Sequence, residues 1–444
     1  MGMPVPKVLA AASYAVPGMG PRPLRLGHHA IVDGRAVVHR LGRELPAIGA
    51  DLIEIAASVH AVDRLVPRPG KFDRRPGGSW ARSLLLQVPV RTPELWNAQA
   101  ERLATLLEWL TDDNWVLEFC SLPAGTGSLD HSQGFLFDTV PSGSVPVLFS
   151  GGLDSTAGLA AELMHTDAVA ISVYTNNWMQ HVQQRVLREL ANVSRHTYTP
   201  LRYRVSLRAQ GSESSQRSRG LLFLAAGIAT AWGLGQHRLR VFENGIGAIN
   251  LPYLRSQFGS QATKSMHPRT LQLTEELATA ISDQPFHIQA PALTATKAQV
   301  IRSSPRNADQ ALALTVSCDA GFAARVLNHA PCGACTSCLL RRQALHAAGR
   351  ACSDTDDIYL YRKGSSPAQM LHVMLWQASR LRTCLAQPDP WLALVSEFPE
   401  VLDTEPLTPA EVIGVYRTYV QEWEDLEEGF PASSQASLRA RTVA

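Results

Sequence analysis

The segment of this sequence with the clearest chemical character is SGGLDST, at residues 150–156. It follows the apolar run 145–149 and precedes a stretch with helical apolar spacing, which predicts a strand-to-helix turn. Two glycines allow the backbone to fold closely around an anion, and the unpaired NH groups at the start of the helix can donate to it. We therefore predict a phosphate-binding loop, the alternative being a glycine-rich turn that binds nothing. Its candidate nucleotide-binding residues are Ser150, Gly151, Gly152, Asp154, Ser155 and Thr156.

The side chains of this loop have different expected roles. Ser150, Ser155 and Thr156 add hydroxyl donors for phosphate. Asp154 is a poor phosphate contact by itself, so we expect it to orient the loop or to help hold Mg²⁺, as a candidate catalytic residue. The segment lacks the lysine of the GxxxxGK[ST] loop, which argues against an enzyme that hydrolyses the γ-phosphate.

Four of the seven cysteines are concentrated in residues 318–338, with the spacing C-x13-C-x2-C-x2-C. Four thiolates form a closed tetrahedral zinc site that leaves no position for a catalytic water, so the predicted metal is structural. An iron–sulfur cluster is the alternative, although nothing else in the sequence indicates electron transfer. The predicted Zn²⁺ ligands are Cys318, Cys332, Cys335 and Cys338.

The loop resembles the SGGxDS motif of PP-loop ATP pyrophosphatases, which cleave ATP between its α- and β-phosphates. Two further motifs lie downstream, namely PxLxxTKA at residues 291–298 and SC followed by CGxCxSCxxR within residues 317–341. In combination, the motifs resemble those of QueC, the 7-cyano-7-deazaguanine synthase, over about residues 145–350.

This resemblance implies a reaction that consumes ATP. In QueC, the carboxylate of 7-carboxy-7-deazaguanine attacks the α-phosphate of ATP, and ammonia then displaces AMP to give an amide and finally a nitrile. The resemblance also implies that Lys297 contacts an ATP phosphate and that the zinc knuckle forms a wall of the substrate pocket. Arg219 is a further candidate catalytic cation. For both cations the alternative is a solvated helix residue.

Two features of the sequence depart from QueC. The chain is about twice as long, and residues 243–247 replace the SGYPDCR-like segment that follows the fourth strand in that family. The long N-terminal region and helical C-terminus look more like those of QatC, the QueC-like component of the Qat antiphage defence system. That resemblance implies transfer of a deazaguanine carboxylate to an amine at the N-terminus of a partner protein.

An α/β domain is predicted to position these residues. Short apolar runs at 145–149, 168–174, 202–207 and 239–242 alternate with helical stretches, which predicts a Rossmann-like (HUP/PP-loop) parallel sheet with helices on both faces. The predicted divisions are an N-terminal α+β domain, the QueC-like domain with its zinc knuckle, C-terminal helices and a loose tail, at residues 1–140, 145–350, 353–430 and 431–444.

Local patterns in the N-terminal region predict four elements. Asp33-Gly34 between apolar residues predicts a hairpin, and Asp51 is the predicted cap of a helix. Residues 83–90 have the pattern of a strand, and Thr92-Pro93 predicts the start of a further helix.

Composition excludes several classes of protein. The formal charge of +2 is too small to indicate a nucleic acid or an anionic membrane as an obligatory partner. No apolar run reaches the roughly 20 residues that span a bilayer, and the N-terminus lacks a signal-peptide pattern, so we expect a cytoplasmic protein.

The sequence therefore predicts an ATP-dependent ligase of the PP-loop type that adenylates a 7-deazapurine carboxylate and transfers it to an amine. One alternative is synthesis of the nitrile with free ammonia. A second is a nucleotide-sensing scaffold without catalysis. RNA modification is the least favoured, because neither a basic face nor a pair of catalytic cysteines is evident.

Overall fold

The computed structural model describes residues 12–16, 19–26, 28–68, 81–130, 140–208, 211–213, 216–253, 263–319, 330–354, 359 and 369–428. The predicted tail at residues 431–444 lies outside these ranges. The strands are β1 (Ala12–Val16), β2 (Met19–Leu24), β3 (Ala30–Asp33), β4 (Ser83–Val90), β5 (Asn114–Ser121), β6 (Val145–Leu148), β7 (Ala168–Tyr174), β8 (Tyr198–Leu207), β9 (Arg238–Arg240) and β10 (His287–Gln289).

The helices are α1 (Arg35–Leu41), α2 (Ala47–Leu65), α3 (Pro93–Ala98), α4 (Ala100–Thr111), α5 (Leu153–Glu162), α6 (Asn177–Ala191), α7 (Arg219–Gly233), α8 (Gly245–Ile249), α9 (Pro268–Ser282), α10 (Lys297–Ser303), α11 (Asp309–Ala313), α12 (Thr336–Ala347), α13 (Gln369–Leu385), α14 (Pro390–Glu397) and α15 (Pro409–Glu428). Short 3₁₀ segments cover Arg306–Ala308, Ala351–Ser353 and Pro399–Asp403.

The first sheet has the strand order β2-β1-β4-β5. Its strands are antiparallel except for the pair β4 and β5, which is parallel. The predicted strand at residues 83–90 is confirmed as β4. The helix predicted after Thr92 is confirmed as well, with Pro93 in its first turn, where the missing NH costs no hydrogen bond.

The second sheet has the order β10-β9-β6-β7-β8-β3, and all its neighbours are parallel except β3, which runs antiparallel to β8. Side chains of β6 and β7 alternate between two cores. Leu148, Val169 and Ile171 pack with α7, whereas Val147, Ala168 and Ala170 face the core that contains α6 residues. The predicted α/β fold class, with a parallel sheet between helices, is thus confirmed.

Two local predictions for the N-terminal region are wrong. Residues after Gly34 form α1 rather than the second strand of a hairpin, and β3 pairs with β8, which is distant in sequence. Asp51 does not cap a helix, because α2 already begins at Ala47. Asp51 is fully buried in that helix, where its carboxylate forms an ion pair with Arg91 at 2.8 Å.

The C-terminal helices α13, α14 and α15 enclose a third apolar core, which also includes Ile246 and Ile249 of α8. Helix α15 therefore packs directly against the segment that follows β9. None of the described helices combines the length and the apolar character needed to cross a membrane.

Candidate functional site

The predicted phosphate loop connects β6 to α5 as a tight turn. Gly151 has φ +83°, a left-handed conformation that glycine adopts without steric cost. The hydroxyl oxygens of Ser150 and Ser155 lie 3.0 Å apart, and the Ser150 hydroxyl accepts a hydrogen bond from the Gly152 amide at 3.2 Å. Thr156 is fully buried, and its hydroxyl donates to the Gly152 carbonyl at 2.8 Å. Thr156 therefore stabilises the turn from inside the helix.

Two contacts hold the loop from outside. The Gln183 side chain in α6 donates to the Ser150 carbonyl at 3.1 Å and to the Val173 carbonyl at 3.3 Å. The Val316 amide donates to the Gly151 carbonyl at 3.3 Å. This hydrogen bond joins the loop to the segment that leads into Cys318. The sequence analysis did not identify Gln183, because a buried glutamine in an amphipathic helix has no local signal of this role.

Asp154 and Lys297 are brought together although they lie 143 positions apart in sequence. Their side chains form an ion pair, and both residues are 7% exposed. Asn244 donates to the same Asp154 oxygen at 3.3 Å and to Glu243 Oε1 at 3.2 Å. Among the residues that the structure describes, none forms a hydrogen bond with Asp154 Oδ1. A buried carboxylate oxygen without a donor is suited to a cation or to a ligand donor.

Glu243 is a residue of this site that the sequence analysis did not assign. Burial and the nearby negative charge of Asp154 raise the pKa of Glu243 to about 8, whereas Lys297 opposes this shift. The sequence analysis names the segment 243–247 only as a departure from QueC after the fourth strand. Asp154 and Glu243 supply the carboxylate oxygens that Mg²⁺ prefers, so these two residues fit that ion.

These residues line a cavity of about 230 Å³ at the carboxyl ends of β6 and β9. The chain continues from β6 to β7 on one side and later reaches β9 on the other, which makes this crevice a topological switch point, where open α/β sheets bind ligands. Described residues that line the cavity are Ser150, Gly152, Leu153, Asp154, Ser155, Phe242, Glu243, Gly247, Asn250, Tyr253, Thr263, Lys297, Val316, Ser317, Asp319, Thr336, Ser337 and Leu340.

The four predicted metal ligands converge beside this cavity. Their sulfur atoms, from Cys318, Cys332, Cys335 and Cys338, all lie within 4.8 Å of one another. Tetrahedral coordination with zinc–sulfur bonds of about 2.3 Å requires sulfurs roughly 3.8 Å apart, so the donor set fits Zn²⁺. Backbone amides of Ala334 and Cys335 point to the Cys332 sulfur at 3.4 and 3.3 Å. Such donors stabilise a thiolate.

Arg219 lies at the first position of α7 and is half-buried. Burial lowers the pKa of Arg219 to about 10, and the negative charge of Asp319 opposes that shift. Asp319 directly follows Cys318 and lines the cavity, whereas Arg219 is not among the described lining residues. Gly151 and Thr156 are also not among them. The catalytic role of Arg219 stays a prediction.

Part of the chain matches the model of a known protein family. Residues 264–349 match the family model of QueC, described as a queuosine biosynthesis protein. A search of the curated proteins finds no match. The matched segment includes Lys297 and all four cysteines but begins after the phosphate loop. It supports a QueC-like family, whose members are PP-loop enzymes of the ATP-pyrophosphatase type. The closer likeness to QatC stays a prediction.

Proposed function

From a cavity that joins a PP-loop to a QueC-like segment, we propose that this chain is an ATP-dependent ligase for a 7-deazapurine carboxylate. The ligase converts a carboxylate of the 7-carboxy-7-deazaguanine type to an adenylate and then transfers the acyl group to an amine. The observation that carries this proposal is the ion pair between Asp154 and Lys297. It faces the cavity between the phosphate loop and the segment that contains the four cysteines, residues 317–338, called the cysteine segment below.

In the first step, a carboxylate oxygen of the substrate attacks the α-phosphorus of ATP, and pyrophosphate leaves with the electron pair of the broken P–O bond. Backbone amides at the start of α5 face the departing phosphates, because a helix N-terminus binds anions. The Lys297 ammonium exchanges its contact with Asp154 for a phosphate oxygen. Mg²⁺, held by Asp154 and Glu243, would neutralise further phosphate charge.

In the second step, the amine attacks the acyl carbonyl, AMP departs, and the nitrogen loses a proton. The cysteine segment contributes Ser317, Asp319, Thr336 and Ser337 to the cavity wall. Zn²⁺ bound to the four thiolates would hold these wall residues in place and would leave no coordination position for substrate. The metal is therefore structural in this proposal.

The proposed acceptor is the N-terminal amine of a partner protein from the same antiphage defence system. This part of the proposal is supported by the resemblance to QatC and by the extra N-terminal and C-terminal regions, which a protein acceptor would explain. Ammonia as acceptor, with a nitrile as final product, is the alternative that the QueC match favours.

Exchange of labelled pyrophosphate into ATP tests the first step without knowledge of the acceptor. We expect exchange that depends on 7-carboxy-7-deazaguanine and that falls about 100-fold in Lys297→Ala, because loss of one positioned donor to developing charge has that size of effect. Arg306→Ala, which removes an exposed cation beyond the same helix, is the matched control. Absence of exchange in the unmodified protein would overturn the proposal in favour of a nucleotide-sensing scaffold.

The product identifies the acceptor. Mass analysis of reactions with ammonia detects an amide or a nitrile, whereas intact-mass analysis of co-expressed neighbouring proteins detects an added deazaguanine acyl group. A nitrile formed at a rate equal to that of exchange, with unmodified partner proteins, would replace the protein acceptor with ammonia.

A further inference from the structure

A carboxylate from the C-terminal helix reaches the helix that carries Lys297. Glu422 of α15 is 5% exposed. Its Oε1 accepts a hydrogen bond from the Thr296 hydroxyl at 2.6 Å, and its Oε2 accepts one from Gln343 Nε2 at 3.3 Å. Arg302 provides a positive charge 3.7 Å from Oε1. A buried carboxylate is costly unless it is bonded in this way, so its contacts fix its position.

Thr296 is the residue that this carboxylate holds. It is the N-cap of α10, and its hydroxyl oxygen accepts a hydrogen bond from the Gln299 amide at 3.2 Å. The Gln299 side chain completes a capping box by accepting from the Thr296 amide at 2.8 Å. Since a hydroxyl has one proton and two lone pairs, Thr296 can cap α10 and donate to Glu422 at the same time.

The position of Lys297 follows from this cap. Lys297 is the first residue of α10, so its backbone direction depends on the conformation of Thr296. Gln343, the second donor to Glu422, belongs to α12, which begins within the cysteine segment at Thr336. Glu422 thereby connects α10 to α12, the helices that bring Lys297 and Thr336 to the same cavity.

We propose that Glu422 is a positioning residue for the phosphate-binding lysine, which gives the C-terminal helix a direct part in ATP binding. This inference rests on the proposed function, because it assumes that Lys297 binds an ATP phosphate. Glu422 itself does not contact the nucleotide. It acts through Thr296 and fixes the direction in which Lys297 leaves the helix.

The affinity for ATP, measured by calorimetry in two backgrounds, tests this proposal. In the otherwise unmodified protein, we expect Glu422→Ala to weaken ATP binding about tenfold, the size of coupling found between residues in one hydrogen-bond network. In the Lys297→Ala background, the same substitution should change affinity less than about twofold. Glu422→Gln keeps an acceptor oxygen for Thr296 and should restore most of the affinity.

The matched control is Glu424→Ala on the same helix. Its carboxylate pairs with Arg382 at 3.5 Å and is 36% exposed, so ATP affinity should not change. If Glu422→Ala does not fold, the pair Thr296→Ser and Thr296→Val tests the same contact, because only serine keeps the hydroxyl. The valine variant should then lose the affinity.

The outcomes separate the two proposals. Equal losses from Glu422→Ala in both backgrounds, or no loss in either, would overturn the positioning role while leaving the proposed function intact. An unmodified protein that does not bind ATP, or a Lys297→Ala protein that binds it normally, would overturn the assignment of Lys297 and with it this inference.

Discussion

At the scale of single residues, the site places two acidic groups beside one cation. Two carboxylates, Asp154 and Glu243, share one ammonium group, that of Lys297. Burial, and after it the negative charge of Asp154, raises the pKa of Glu243 to about 8, and Asp154 Oδ1 has no hydrogen-bond partner among the described residues. A divalent cation would stabilise both carboxylates and would release Lys297 for a phosphate. The two acidic groups therefore fit a divalent cation.

A histidine outside the site should make stability depend on pH. His267 caps α9, packs against Trp109 and is 4% exposed. Burial, with the nearby charges of Lys264 and Arg269, lowers the pKa of His267 to about 3. Because the unfolded chain binds this proton near pH 6.5 and the folded chain does not, the folded state loses stability as pH falls from about 6.5 toward 3. The loss at pH 5 should be about 2 kcal/mol.

His267→Asn tests this expectation, since asparagine caps helices well but does not titrate. The free energy of unfolding in urea should fall by less in this variant than in the unmodified protein between pH 7 and pH 5. His181→Asn, at an exposed position of α6, is the control and should keep the full pH dependence. Identical pH profiles for all three proteins would show that His267 titrates normally in the folded chain.

At the scale of elements, close approach of α5 to the end of β9 shapes the cavity. A methyl group on Gly158 of α5 would lie 2.0 Å from Cγ of Phe242, which lines the cavity. The absence of a side chain at Gly158 thus allows α5, the helix that follows the phosphate loop, to contact the segment before Glu243. This contact sets the distance between α5 and the segment after β9, which lie on the two sides of the switch point.

Gly158→Ala should therefore damage both stability and activity. The added methyl must displace the Phe242 ring, and overpacking of this kind costs about 1–3 kcal/mol. Pyrophosphate exchange should fall at least about tenfold, because small displacements in a site have large effects on rate. Gly414→Ala in α15, where nothing lies within 4 Å, should instead raise stability by about 0.5–1 kcal/mol. Unchanged exchange in Gly158→Ala would show that Phe242 moves without consequence for the site.

The elements also show what the sequence can and cannot predict. Strands β6 to β9 of the second sheet were predicted because buried parallel strands are continuous apolar runs, whereas β10 was not predicted and β3 was expected only as part of a hairpin. The phosphate loop and the four cysteines were singled out because their spacing is local. Asp51 was assigned wrongly as a cap, since its ion pair is formed with Arg91, which lies 40 positions away just after β4. The contact between Thr296 and Glu422, 126 positions apart, has no local pattern at all. Local patterns select candidate residues, whereas long-range packing determines their partners and adds Gln183 and Glu243, which no local pattern indicated.

At the scale of the whole molecule, the two sheets share one apolar core. Leu86 and Val88 of the first sheet belong to the same cluster of buried side chains as Val169 and Ile171 of the second. Strand β3, from the N-terminal region, completes the second sheet by pairing with β8. These features predict that both sheets unfold in one cooperative transition.

Helices α2 and α7 lie between the two sheets, and a close contact between them offers a test of this cooperativity. A side chain at Gly49 of α2 would begin 3.2 Å from the Cα and Cβ atoms of Ala229 in α7, so Gly49→Leu should force these helices apart at a cost of about 1–3 kcal/mol. Hydrogen exchange should then accelerate by similar factors in β4 and in β7, because both depend on the same global opening. Gly414→Leu, at an open position, should accelerate neither rate. Faster exchange in β4 with full protection of β7 would instead mean that the N-terminal region opens separately and that the candidate site does not depend on it.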